Sequence, residues 1–136
     1  MMGSGTQTNG NQPNGVGALA GKTVLVVEDE FIIAMEYVLH LEEHGARVAG
    51  PVTSVPQALD AVRKLQIDAA VLDIDLQGTK SFAVADALME RRVAFVFATG
   101  YDDAVIPERF GHVRRCGKPS NPAAIVEAVL QVLSGA

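Results

Sequence analysis

The chain alternates short runs that are apolar throughout with longer runs in which apolar residues recur every three or four positions. The first short run is 23–27, and apolar residues then recur from Phe31 to Leu41, before Gly45. A continuous apolar run is typical of a strand buried on both faces, and the longer spacing is typical of a helix with one buried face. Glycine after the last apolar position commonly ends a helix. The pattern therefore predicts a strand followed by a helix.

The same alternation continues to the end of the chain. The further predicted strands are 47–52, 69–72, 93–98 and 111–116, and the further predicted helices are 56–65, 81–91 and 123–133. Residues 102–110 contain Pro107, so any helix there is expected to be marginal. Because parallel neighbouring strands need crossover connections, these units predict an α/β fold. We expect a doubly wound, five-stranded parallel sheet with helices on both faces.

Residues 1–20 differ from the rest in composition, because 14 of them are Gly, Ser, Thr, Asn, Gln or Pro and none is charged. Such a segment has little apolar surface to bury. We therefore expect a disordered tail at 1–20 and one folded domain at 21–136. The longest continuous apolar run, 93–98, is far shorter than the ~20 residues of a membrane-spanning helix. We expect no contact with a membrane and a cytoplasmic location.

The chain is acidic, with 16 acidic and 11 basic residues and a formal net charge of −5. Its basic residues are scattered along the sequence, which argues against nucleic acid as a partner. The single cysteine, Cys116, excludes an internal disulfide framework and a zinc site of four thiolates. The composition thus indicates a small acidic domain. The positions of its acidic residues in the fold then decide which chemistry they can support.

Polar and charged side chains follow four of the predicted strands. These residues are Glu28, Asp29, Asp73, Asp75, Thr99 and Lys118. In open parallel sheets, ligands bind beyond the carboxyl ends of the strands, so these residues mark a candidate site. If the first and third strands are neighbours, their carboxylates repel one another unless a cation lies between them. Oxygen ligands without sulfur or imidazole favour Mg²⁺.

A cation beside several carboxylates, a hydroxyl and an ammonium group is suited to phosphoryl transfer. A carboxylate can act as the covalent nucleophile, and we assign this role to Asp73. We assign Glu28, Asp29 and Asp73 itself to the metal, and Thr99 and Lys118 to the phosphoryl oxygens, because such transfers depend on positioning and charge neutralisation.

Over about residues 21–134 the chain resembles the receiver domain of two-component response regulators. The motifs that carry the resemblance are Val-Val-Glu-Asp-Glu at 26–30, Val-Leu-Asp at 71–73, Phe-Ala-Thr-Gly at 97–100 and Lys-Pro at 118–119. The resemblance implies a flavodoxin-like sheet in the order 2-1-3-4-5 and phosphotransfer from a kinase histidine to Asp73. It also implies that the main-chain carbonyl of Asp75 completes the metal shell and that the Lys118-Pro119 bond is cis.

One position departs from the family pattern. Receivers usually carry an aromatic switch residue three positions before the lysine, where this chain has Arg115. The run Phe-Val-Phe-Ala-Thr-Gly-Tyr at 95–101 instead resembles the FATGUY subfamily, often stand-alone receivers with a mobile fourth-helix region. We therefore consider both Arg115 and Tyr101 as candidates for the switch.

The resemblance implies protein partners, namely a sensor histidine kinase or a histidine phosphotransfer protein. It implies no enzyme in the ordinary sense, since a receiver catalyses only its own phosphorylation and dephosphorylation. The chain ends three residues after the last predicted helix, so we expect signalling by protein contact. That helix has a second apolar stripe at Val126, Leu130 and Leu133, which predicts a surface for a homodimer or for kinase docking.

Two alternatives remain open at this stage. Residues 73–77 partly resemble the D-x-D-x-T nucleophile motif of haloacid dehalogenase phosphatases, although Gln77 stands at the threonine position. A receiver-shaped binding module that is never phosphorylated is the second alternative.

Overall fold

The computed structural model describes residues 17–100, 105–118 and 121–135, which build a five-stranded parallel sheet between two layers of helices. The strands of this sheet are β1 (Thr23–Val27), β2 (Arg47–Val52), β3 (Ala69–Asp73), β6 (Ala94–Thr99) and β7 (Arg115–Gly117). An antiparallel hairpin follows β3 and consists of β4 (Asp75–Leu76) and β5 (Thr79–Lys80). The helices are α1 (Phe31–Glu43), α2 (Val55–Lys64), α3 (Phe82–Glu90) and α4 (Pro122–Leu133).

The spatial order of the sheet is β2-β1-β3-β6-β7, with every neighbouring pair parallel. Since β6 and β7 are the fourth and fifth strands predicted from the sequence, this order confirms the expected doubly wound fold. The hairpin of β4 and β5 was not predicted, because its strands have two residues each and carry no apolar pattern.

The central strands are buried on both faces. In β1, Val24 and Val26 belong to the apolar cluster beneath α1 and α4, while Leu25 and Val27 belong to the cluster beneath α2 and α3. This assignment follows the two-residue period of a strand. It explains why β1 is a continuous apolar run rather than an alternating one.

The last helix, α4, does not present the apolar stripe that the sequence predicts. Val126 is only 3% exposed and lies in the same cluster as Tyr37 and Leu41 of α1, and Leu130 and Leu133 pack against that cluster. The structure therefore contradicts an exposed stripe at Val126, and the predicted role of α4 in a homodimer or in kinase docking stays a prediction. The helix is apolar nearly all round because the sheet covers one side and α1 covers part of another.

An exposed apolar stripe lies on α1 instead. Its residues are Phe31 and Ile32, each 73% exposed, with Leu39 at 55% and Met35 at 39%. At 100° per residue these four positions fall within one face of the helix. The sequence pattern did not separate this face from the buried one, because both faces of α1 are apolar.

The folded part begins earlier than residue 21. Leu19 is fully buried in the cluster beneath α1 and α4, and its N–H donates to the carbonyl of His44 at 2.8 Å. At Gly17, φ is +108°, and a Cβ there would lie 2.3 Å from the carbonyl oxygen of His44. The predicted tail boundary is thus wrong for residues 17–20. The composition of 1–20 is mostly polar, and this average did not reveal that Leu19 packs in the core. Residues 1–16 lie outside the described residues.

The segment before β7 also differs from its prediction. Residues 111–114 are turns and irregular backbone, so β7 starts four residues later than predicted. Within 105–110 there is a single 3-10 turn, Glu108–Phe110, which agrees with the expected marginal helix. Phe110 is fully buried and stacks on Phe82 of α3 with ring centroids 5.7 Å apart.

Among the described helices, none is long and apolar enough to cross a membrane.

Candidate metal centre

Three carboxylates meet at the carboxyl edge of the sheet. Glu28 and Asp29 directly follow β1, and Asp73 is the last residue of the neighbouring β3. The ladder pairs Val27 with Leu72, so the next residue of each strand reaches the same edge. One oxygen from each of the three carboxylates lies within 4.8 Å of the others. The fold thus brings together three of the four residues that the sequence assigned to a metal, and Asp75 is the fourth.

Among the described residues, one ammonium group faces this cluster. The Nζ of Lys118 lies 3.2 Å from Asp73 Oδ2 and 3.0 Å from Glu28 Oε1, and it also lies 3.3 Å from Glu30 Oε1 at the more exposed rim. Glu28 and Asp73 are 1% and 3% exposed. When all groups are ionised, the three clustered carboxylates outweigh this one ammonium by two charges. Buried charge that is not compensated is costly, so the site favours a divalent cation.

The electrostatics of the cluster change the acidity of its members. Burial, together with the negative charge of Glu28, raises the pKa of Asp73 from 3.8 to about 8. Burial alone would lower the pKa of Lys118, but its contacts with Glu28 and the charge of Asp73 outweigh burial and raise it. Without a cation, Asp73 therefore holds a proton more tightly than an ordinary aspartate.

The oxygen atoms present fit Mg²⁺. In the described part of the chain, no donor makes a well-directed hydrogen bond to the buried Glu28 Oε1, although Lys118 lies close to it. Mg²⁺ prefers carboxylate oxygen and usually takes only one or two such ligands from a protein. Glu28, Asp29 and Asp73 could supply them.

The β4–β5 hairpin orients one of these ligands. Its two turn residues, Gln77 and Gly78, have φ of +53° and +83°, as a type I′ turn requires. The N–H of Gln77 donates to Asp29 Oδ2 at 2.9 Å, which ties the hairpin to the metal cluster. Sequence analysis missed this contact. The Gln-Gly pair after the short segment 73–76 was the only signal of a turn.

Asp75 lies at the base of the same hairpin. Its N–H donates to Asp73 Oδ1 at 3.3 Å, and its side chain pairs with Lys80, with Nζ 2.9 Å from Oδ1. The side chain of Asp75 therefore points into an ion pair along the hairpin. The expected contribution of its main-chain carbonyl to a metal stays a prediction.

Ser81 is a further residue that sequence analysis missed. Its buried hydroxyl donates to the main-chain carbonyl of Asp73 at 2.6 Å, and its N–H donates to the carbonyl of Ile74 at 2.8 Å. The hydroxyl makes no cap bond with α3, although serine before a helix usually makes one. Because of this preference, Ser81 in the sequence indicated the start of a helix. It gave no indication of a contact with Asp73.

Thr99 and Lys118 reach the same edge from β6 and from the end of β7. Asp73 pairs with Ala98 in the ladder, so Thr99 is the next residue beyond that pair, and it is half-buried. The carbonyl of Thr99 accepts a hydrogen bond from the N–H of Lys118 at 2.6 Å. The main chain therefore holds both residues side by side at the rim of the carboxylate cluster.

Of the two switch candidates, the structure describes Arg115 and does not describe Tyr101. Arg115 starts β7, is exposed and pairs with Phe97 in the ladder, away from the carboxyl edge. Tyr101 lies outside the described residues, as does Pro119 of the predicted cis bond. Both switch assignments stay predictions.

Comparisons with known proteins agree with this fold and geometry. Residues 24–130 match the model of the response regulator receiver domain. A structure of SdrG from Sphingomonas melonis is 38% identical, with a TM-score of 0.73 over 83% of this chain and 96% of that one. The BeF3-activated conformation of SdrG, attributed to Pseudomonas melonis, is 40% identical, with a TM-score of 0.66 over 79% and 95%.

A response regulator receiver protein from Sinorhizobium medicae is 25% identical, with a TM-score of 0.70 over 86% of this chain and 98% of that one. No curated protein sequence matches the chain. The family match covers well over half of the sequence, and the order of the sheet and the acidic edge agree with it. The chain belongs to the family of response regulator receiver domains.

Proposed function

We propose that the protein accepts a phosphoryl group on Asp73 in a Mg²⁺-dependent step, with a sensor histidine kinase or a histidine phosphotransfer protein as donor. The observation that carries the proposal is the charge of the site, where the clustered carboxylates of Glu28, Asp29 and Asp73 outnumber the ammonium group of Lys118, which contacts Glu28 and Asp73. Such a site is short of positive charge, and a phosphoryl group brings further negative charge. A divalent cation offsets two of these negative charges.

The side chains have distinct roles in this proposal. A carboxylate oxygen of Asp73 forms the new bond to phosphorus while the bond between phosphorus and the donor nitrogen breaks. Bound Mg²⁺ would neutralise charge on the phosphoryl oxygens. Lys118, already 3.2 Å from Asp73, would hold one phosphoryl oxygen, and the hydroxyl of Thr99 would donate to another. Ser81 fixes the main chain of Asp73 through its 2.6 Å hydrogen bond.

The exposed stripe of α1 supports a protein donor. Phe31 and Ile32 come directly after the acidic residues Glu28–Glu30, so the stripe begins at the rim of the site. Contiguous exposed apolar residues mark interaction surfaces. We propose that the donor protein packs on this face while its phosphohistidine reaches Asp73.

The solved relatives are consistent with this function. SdrG, 40% identical to this chain, has a BeF3-activated conformation. Because fluoroberyllate is a tetrahedral anion of the size of a phosphoryl group, the present chain should bind it at Asp73. Mg²⁺ should be required, since the site needs the added positive charge.

The proposal is tested by intact-mass analysis after incubation with a small phosphodonor, with and without Mg²⁺. We expect one phosphoryl group per chain in the presence of Mg²⁺ and none after chelation. The Asp73→Asn variant keeps the size of the side chain and should give no adduct. Rapid turnover of many phosphate esters would instead indicate a phosphatase, and no adduct with any donor would indicate a binding module. Either result would overturn the proposal.

A further inference from the structure

A cavity lies at the edge of the sheet opposite the carboxylate cluster, where β6 and β7 begin. It has a volume of about 400 Å³ and is bounded by the ends of α3 and α4. The carbonyl of Arg114 accepts from the N–H of Phe97 at 2.9 Å, which fixes Arg114 beside β6. Its lining includes Arg92, Phe95, His112, Val113, Arg114 and Val132.

The floor of the cavity is apolar. Phe95 and Val113 are 6% and 8% exposed, so each is buried in the core and shows only a small part of its surface to the cavity. Val132 of α4 contributes one wall and is half-buried. Covering this apolar floor with an apolar group removes both surfaces from water and is therefore favourable.

The rim of the cavity is basic. Arg92, His112 and Arg114 line it and are all exposed, and none of its described lining residues is acidic. Within the described parts of the chain, neither Arg92 nor Arg114 pairs with a carboxylate, whereas Arg109, Lys64, Lys80 and Lys118 each do. In a chain with a formal net charge of −5, two unpaired guanidinium groups at one cavity are a local reversal of charge.

The backbone of Arg92 adds an independent observation. Its φ is +58°, and its N–H and that of Val93 bond to the carbonyls of Met89 and Leu88, which close α3 as a Schellman motif. Glycine is the usual residue at this position, because a side chain in the left-handed region is unfavourable. A residue held in an unfavourable backbone conformation supports a hypothesis of function for that residue. Here the residue is Arg92, and the group with the proposed function is its guanidinium.

We propose that this cavity binds a small organic anion with a compact apolar body, in which a carboxylate faces Arg92 and Arg114 and the apolar part covers Phe95 and Val113. Planar guanidinium groups bind carboxylates through paired hydrogen bonds. The volume falls in the range of small-molecule sites, which combine an apolar lining with a few polar groups.

This site is separate from the proposed phosphoryl site. Phe95 in the cavity lies four residues before Thr99 on β6, a distance of roughly 13 Å at about 3.3 Å per residue. Binding at the cavity requires neither Mg²⁺ nor Asp73. The two proposals therefore fail independently.

The experiment is a titration of the full chain with cyclohexanecarboxylate, followed by the methyl NMR signals of Val113 and Val132. We expect saturable shifts at these methyl groups. Cyclohexanecarboxamide, which has the same shape and no charge, should bind at least tenfold more weakly, equivalent to about 1.4 kcal/mol. The double variant Arg92→Gln, Arg114→Gln should lose at least tenfold in affinity for the carboxylate.

A second double variant controls for net charge. Arg47→Gln with Arg63→Gln removes two exposed arginines that do not line the cavity, and it should bind the carboxylate as the unmodified chain does. All four replaced side chains are exposed, so a thermal melt should show folded protein in each case. The proposal is wrong if no saturable shift occurs, if the amide binds as well as the carboxylate, or if both double variants lose affinity equally.

Discussion

At the scale of single residues, the chemistry depends on how the fold buries charge. Asp73 and Glu28 are almost fully removed from water, and the ammonium group of Lys118 lies close to both. Burial and the negative charge of Glu28 raise the pKa of Asp73 to about 8, although the charge of Lys118 opposes them. A cation at this position would reverse the effect, since it favours the ionised form.

The first prediction concerns the pH dependence of the Mg²⁺-free protein. Asp73 binds its proton more tightly when folded, so the stability that this proton confers is complete below pH 3.8 and is lost as the pH rises through about 8. In Glu28→Gln one negative charge is removed, so the pKa of Asp73 should fall towards its ordinary value and this loss should be smaller. Carboxyl NMR titration and urea unfolding at several pH values measure both quantities.

The control for this prediction is Glu90→Gln, which removes an exposed carboxylate at the end of α3. It should leave the titration of Asp73 unchanged. An equal pKa of Asp73 in Glu28→Gln and in the unmodified chain would contradict this electrostatic account.

At the scale of elements, two segments carry features that the apolar pattern does not reveal. The 3-10 turn before β7 is held to α3 by a two-point contact, with Arg109 Nε and Nη2 at 2.9 Å and 3.0 Å from the carboxylate of Asp86. The same guanidinium lies 4.4 Å from the centre of the Phe110 ring. In α1, four apolar side chains face solvent.

The second prediction concerns the contact between the 3-10 turn and α3. The hydrogen bonds from Arg109 hold the pKa of Asp86 below its ordinary value of 3.8. The stability that this pair confers is therefore complete above pH 3.8 and is lost as the pH falls through the lowered pKa. In Arg109→Gln the pKa of Asp86 should return towards the ordinary value. NMR titration of the carboxyl carbon measures it. Arg63→Gln is the matched control, and an unchanged pKa in Arg109→Gln would show that the contact does not persist in solution.

The third prediction concerns the exposed face of α1. Phe31→Ser with Leu39→Ser removes apolar contact area without touching the carboxylate cluster. Phosphotransfer from the cognate histidine kinase should slow at least tenfold, while phosphorylation by a small phosphodonor should proceed at the unmodified rate. Glu36→Ser with Glu43→Ser, which alters exposed polar positions of the same helix, is the control. Equal slowing with both donors would place the defect in the site rather than in docking.

At the scale of the whole molecule, the periodicity of the chain was sufficient to predict the sheet and its helices. Continuous apolar strands such as 23–27 must be buried on both faces, and in an open parallel sheet that leaves few arrangements. The clustering of Glu28, Asp29 and Asp73 followed from the same rule, because the carboxyl ends of parallel strands share one edge.

Other features depend on contacts between distant segments, which a local pattern does not encode. The N–H of Gln77 reaches Asp29, and the hydroxyl of Ser81 turns to Asp73 instead of capping α3. Likewise, the apolar stripe of α4 could not be distinguished from a docking surface until the position of α1 was known. Leu19 was hidden because its neighbours in sequence are small or polar.

The fourth prediction tests where the folded unit begins. Leu19 is fully buried among residues of α1 and α4, so Leu19→Ala should lower the free energy of unfolding by about 2–5 kcal/mol, as for other large-to-small changes in a core. Leu65→Ala, at a 43% exposed position, is the control and should cost much less. Urea denaturation measures both. A cost for Leu19→Ala no larger than the control would return the start of the domain to residue 21.

The central claim is that Asp73 is the residue that carries the phosphoryl group. Borohydride reduces an aspartyl phosphate to homoserine and leaves free carboxylates unchanged, so it marks the phosphorylated position in the sequence. After reaction with a small phosphodonor and Mg²⁺, peptide mass analysis should find homoserine at position 73 and none after chelation of the metal. Homoserine at position 29 or 75, or at no acidic position, would contradict the account.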